Sequence, residues 1–103
     1  MRFGFLIFVG ALMSAGGAQA QDAPALMKRN DCYICHDNEQ TKTGPAFADI
    51  AEKYRGDPAA VATLTAVVKK GRHGGGPWPM PPLPQVPSAD AGKIAEYILS
   101  LKK

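Results

Sequence analysis

Apolar positions are distributed along this chain in two ways. From Phe3 to Met13 they run almost unbroken behind a single charge at Arg2, then give way to small residues ending in Ala18-Gln19-Ala20. That is the layout of a secretory signal peptide with an A-x-A cleavage site. A retained membrane span needs roughly 20 apolar residues, and Gly16, Gly17 and Gln19 dilute this run early. Residues 1–20 are therefore expected to be a cleaved signal peptide. Residues 21–103 are expected to form one exported, periplasmic domain with no stable membrane insertion.

Beyond Gln21 the pattern becomes periodic. Pro24 opens a helix over "PALMKRNDC", since proline suits a first helical position. A second helix is predicted over "AFADIAEKY", ended by Gly56. Pro58 starts a third, "PAAVATLTAVVKKG", where Val61, Leu64, Val67 and Val68 recur at helical spacing. Lysines in its last turn and Gly71 just beyond form a stop signal. Ser88 reads as the N-cap of a final helix, "ADAGKIAEYILSLKK". Its Ala91, Ile94, Ala95, Ile98 and Leu101 (or Leu99) make one apolar face. Between the last two helices lies "GRHGGGPWPMPPLPQVP", with six prolines in residues 77–87 and three consecutive glycines. Such a composition forbids helix or strand. Trp78 and Met80 are costly to leave in water, so a large apolar body is expected beneath this loop. The pattern as a whole is all-α.

Length and charge narrow the picture further. A single domain of this size buries a thin core and usually needs a disulfide, a metal or a cofactor to hold together. The formal charge of +3 drops by one when Arg2 is lost. That is not the basic excess of a nucleic-acid binder. Lys28-Arg29 and Lys69-Lys70-Arg72 are local clusters only.

The staple is written at residues 30–40, "NDCYICHDNEQ". Cys32 and Cys35 are the only cysteines, and His36 follows at once. A structural zinc site would need four ligands at finger spacing, and a thioredoxin-like pair would need a βαβ context; neither pattern is present. A disulfide across two intervening residues closes too short a loop to stabilise much. C-x-x-C-H is instead the attachment pattern of c-type haem. On one helical turn two sulfurs reach the two vinyl groups of one porphyrin edge, and the next residue turns its imidazole to the iron. One covalent haem c is expected, bound through Cys32 and Cys35 with His36 on the metal. Met1 and Met13 leave with the signal peptide, and Met27 is better placed for core packing. Met80 is the expected second iron ligand, on a loop that prolines stiffen and so pre-organise.

These residues resemble class I cytochromes c, in particular the small bacterial cytochrome c-551/c-552 group. C-Y-I-C-H at 32–36 is similar to the haem-binding motif, G-P-A at 44–46 to the proximal loop, and P-M-P-P at 79–82 to the methionine-ligand loop. "YILSLKK" is similar to the family's terminal helix. The resemblance implies a small single-domain fold of about four helices wrapped around one covalently attached haem. It also implies that the Pro45 carbonyl accepts the Nδ1–H of His36, fixing its tautomer. First and last helices would cross, bringing Leu26 or Met27 near Ile94 and Tyr97. In the family a loop tryptophan donates its indole N–H to a haem propionate. Here Trp78 abuts Pro79 without the usual intervening residues, so that bond and simple packing on the ring edge both stand open. His73 is expected to reach iron only in partly unfolded states.

Two axial ligands leave no vacancy for substrate, which argues against an enzyme and for a one-electron carrier in a respiratory chain; the carrier is expected to be a monomer. The resemblance implies a membrane cytochrome complex as donor and a terminal oxidase or periplasmic nitrite reductase as acceptor. Lys28, Arg29, Lys69, Lys70 and Arg72 are expected to steer acidic partners toward an apolar rim of loop prolines. Two other classes remain open: a haem sensor or small haem enzyme with a displaceable Met80, and a cytochrome subunit of a periplasmic dehydrogenase.

Overall fold

The computed structural model describes residues 22–74 and 78–103; the expected signal peptide lies outside them. Among the described residues are five helices and no strand: α1 (Ala23–Arg29), α2 (Cys32–Cys35), α3 (Phe47–Lys53), α4 (Ala60–Lys70) and α5 (Ser88–Ser100). None is long and apolar enough to cross a membrane. The expected count of about four becomes five because the C-x-x-C turn stands apart from the helix before it.

The separation has a local cause. Asp22 caps α1 by accepting the Ala25 N–H at 2.9 Å, and Pro24 sits in its first turn. Six residues on, Asn30 Nδ2 donates to the Leu26 carbonyl at 2.9 Å, closing the helix end. Asp31 then takes the left-handed conformation, φ 64°, which Asp and Asn tolerate better than other side chains. The single helix expected through Cys32 is thereby broken, and α2 sets off in a new direction.

Two further boundaries differ from expectation. Asp57 accepts the Ala59 N–H at 2.8 Å, so Pro58 lies in a turn and α4 begins at Ala60. Ser88 is the first residue of α5, not its cap. Pro87 holds the cap position with extended backbone, without a side-chain capping bond, and its carbonyl accepts the Ala91 N–H at 2.9 Å.

α5 is the hub, packing against α1, α3 and α4. Ala91, Ile94, Ala95 and Ile98 are buried on its inner face, while Leu99 and Leu101 are half-buried beside the core. Fully buried Leu26 and Met27 of α1 join Ile94 in one cluster. Each such side chain contributes about 1.5–3 kcal/mol by leaving water. α4 adds Leu64 and Val68. Its buried stripe follows Ala60, Leu64 and Val68, which leaves Val61 off the seam and exposed.

The described part of the proline-rich loop is pinned at several points. Arg72 and Met80 exchange backbone hydrogen bonds of 3.0 and 2.9 Å, and the Leu83 N–H donates to the Val68 carbonyl at 3.0 Å. Lys69 Nζ reaches across to the carbonyls of Pro84 and Val86, at 3.2 and 2.6 Å. Val86 is buried in the core.

Candidate haem site

α2 is a single turn, and the His36 N–H closes it on the Cys32 carbonyl at 3.0 Å. The two cysteines form no disulfide with each other, and both are half-buried. Burial pushes the Cys32 thiol above its ordinary pKa, against a smaller lowering by a backbone hydrogen bond.

His36 is held on three sides. Its Nδ1 lies 2.7 Å from the Pro45 carbonyl, the geometry of an N–H donated to oxygen. In that tautomer Nε2 carries a free lone pair, as a metal ligand requires. The Phe47 ring stacks on the imidazole at 4.7 Å with 24° between planes. Tyr33 meets Phe47 edge-on at 5.8 Å. The third contact is Gly44, where an added Cβ would overlap the imidazole, lying 2.8 Å from Nδ1 and 2.9 Å from Nε2.

The segment that presents these contacts is tied down by backbone bonds. Gly44 N–H donates to the Cys35 carbonyl at 2.7 Å, and Phe47 N–H to the Asp37 carbonyl at 2.8 Å. The Asp37 carboxylate accepts the N–H groups of Glu39 and Gln40 at 2.9 and 3.1 Å. Those bonds hold its pKa below the ordinary carboxylate value. Asn38 Nδ2 links the segment to α5 through the Tyr97 hydroxyl at 3.3 Å.

Cys35, His36, Pro45, Trp78 and Met80 all line one cavity of about 420 Å³. Cys32 instead packs against the core cluster. Leu64, Ile50 and Tyr54 contribute to the same walls. Met80 is set in place through Gly71, whose φ of 80° favours glycine. A Cβ there would meet the Met80 carbonyl at 2.5 Å. Trp78 lines this cavity and is 66% exposed, while His73 is exposed and outside the cavity lining.

The residues present fit a haem. Two thiols sit on one helical turn, an imidazole has its Nε2 free, and a thioether shares a mostly apolar cavity within the roughly 300–1,000 Å³ of cofactor sites. Gly44 leaves the imidazole the room that a side chain would take. Sequence reasoning missed the Gly44 and Phe47 contacts and the presence of Arg72 and Lys53 on the cavity wall. Gly44 carried only a turn signal and Phe47 only a helical one.

A small all-helical domain with a C-x-x-C-H turn and a loop methionine on one cavity defines a c-type haem protein. The chain belongs to the cytochrome c family, whose model, described as Cytochrome c, matches residues 20–102. It is similar to cytochrome c-552 of Nitrosomonas europaea, 46% identical over 89% of this chain and 88% of that protein. It also resembles cytochrome c-551 of Stutzerimonas stutzeri, at 39% identity over 94% of this chain and 93% of the relative. The crystal structure of wild-type Nitrosomonas europaea cytochrome c552 superposes with a TM-score of 0.74 at 41% identity, covering 77% of this chain and 99% of that one. The family is class I of the small bacterial type, as its motifs predicted, and with membership come one covalent haem c and a role in electron transfer with protein partners.

Proposed function

We propose that this chain is an exported, periplasmic one-electron carrier whose haem is bound through Cys32 and Cys35 and ligated by His36 and Met80. The observation that carries this reading is one cavity lined by both His36 and Met80, with His36 Nδ1 engaged by Pro45 at 2.7 Å. When bound, haem c supplies a one-electron ferric/ferrous couple. The chain's own residues tune and protect it. The Pro45 carbonyl fixes the His36 tautomer and, with Phe47, its rotation. Met80 offers a soft thioether, which favours the ferrous form and raises the potential relative to two nitrogen ligands. Leu64 and Ile50 keep the cavity apolar, and Gly71 and the Arg72 backbone hold the Met80 segment against α4. With His36 and Met80 both holding the iron, no open position would remain for a substrate, which supports a carrier over an enzyme.

Ile34, between the two cysteines, is 67% exposed, and Trp78 on the loop is 66% exposed. Together with the loop prolines they offer an apolar rim suited to brief docking at a small interface. A membrane cytochrome complex as donor and a terminal oxidase or periplasmic nitrite reductase as acceptor fit that use.

The test is spectroscopic. Oxidised, matured protein should be low-spin with the weak far-red sulfur-to-iron band, and Met80→Ala should lose that band while keeping the haem. High-spin wild-type protein that binds carbon monoxide readily on reduction would instead favour a sensor.

A further inference from the structure

The cavity walls carry an excess of positive charge. Lys42, Lys53 and Arg72 line it against one carboxylate, Asp49. Asp49 is already engaged by Lys103, at 3.0 Å. Among the described residues none of the three cavity cations pairs with a carboxylate. Lys42 Nζ donates to the Tyr33 carbonyl at 2.9 Å, but Arg72 and Lys53 gather around Tyr54. Arg72 Nη1 donates to the Tyr54 hydroxyl at 3.5 Å, and Lys53 Nζ lies 5.6 Å from the centroid of the same ring.

Arg72 is half-buried, and its backbone is bonded twice to Met80. A guanidinium that donates to a phenol, on a backbone fixed to Met80, and that pairs with no carboxylate among the described residues is available to an anion. Its planar fork matches a carboxylate, to which it can donate two parallel bonds. Haem brings two carboxylates, its propionates. We infer that Arg72, steadied by Tyr54 and supported by Lys53, binds a haem propionate. Trp78 lines the same cavity, and its indole is the competing candidate that the experiment must separate from Arg72. This assignment rests on the cavity holding haem, but not on Met80 being a ligand.

The experiment compares matured wild-type protein with Arg72→Gln, Arg72→Lys and Trp78→Phe by resonance Raman scattering, reading the propionate-bending band, and by potentiometry at one pH. Arg72→Gln should move the band to lower wavenumber and lower the reduction potential, because a cation near the ring is lost. Arg72→Lys, which keeps the charge but not the fork, should fall between. An unmoved band in both Arg72 variants overturns the assignment, as does a band moved by Trp78→Phe alone. The far-red band is scored separately. Its absence from the wild type would sink the Met80 reading and leave the propionate comparison standing.

Discussion

Gly44 and His36 show why a motif is legible in sequence while its support is not. The spacing of Cys32, Cys35 and His36 is chemistry written in consecutive positions, so the haem-binding set could be proposed from the chain alone. The clearance over the imidazole depends on residues 36 and 44 folding onto each other, which no local pattern encodes. Gly44→Ala should therefore be harmful despite conserving a small side chain. The new Cβ would overlap the ring, and overpacking of this kind costs about 1–3 kcal/mol. Guanidinium unfolding of the matured protein should show the loss as a lower midpoint with an unchanged slope. An unchanged midpoint would mean the imidazole moves aside freely.

At the level of elements, the apolar periodicity located α4 and α5 well because each buries one stripe against a neighbour. It failed at their ends, where single hydrogen bonds decide. Asp57 and Pro87 set the starts of α4 and α5, and the left-handed Asp31 split α1 from α2. None of these alters the apolar period. A contact between elements was equally hidden: Lys103, just beyond α5, pairs with Asp49 at 3.0 Å and Glu52 at 3.6 Å on α3. The Asp49 hydrogen bond, then the charges of Asp49 and Glu52, raise the Lys103 pKa above its ordinary 10.5. A raised folded value means the contribution is complete below the unfolded pKa and disappears as pH rises through the folded one. Lys103→Gln should accordingly be less stable than wild type at neutral pH, and the gap should close in alkali above the ordinary lysine value. Because the pair is exposed, added salt should narrow the same gap. Urea midpoints measured across pH at two salt concentrations check both statements.

Across the whole molecule the question is how a loop with six prolines in residues 77–87 keeps Met80 in place. Its composition suggested stiffness, but stiffness alone would not fix it to the helices. Anchoring comes at two points: the Arg72–Met80 bridge just beyond α4, and Lys69 with Val68 of α4 against residues 83–86. Lys69, expected among the steering charges, is therefore occupied with loop carbonyls, whereas Lys70 is exposed. The two neighbours should separate cleanly on mutation. Lys69→Met removes charge-assisted bonds worth about 1.5 kcal/mol or somewhat more, which corresponds to a roughly tenfold larger population of loop-open states. Imidazole should then displace Met80 about tenfold faster, and the far-red band should vanish at a lower temperature. Lys70→Met should leave both unchanged while flattening the ionic-strength dependence of electron transfer to an acidic partner. Should Lys69→Met behave like Lys70→Met, with ligand exchange unaltered, its ammonium would be a steering charge, and the loop would be held by its backbone bridges alone.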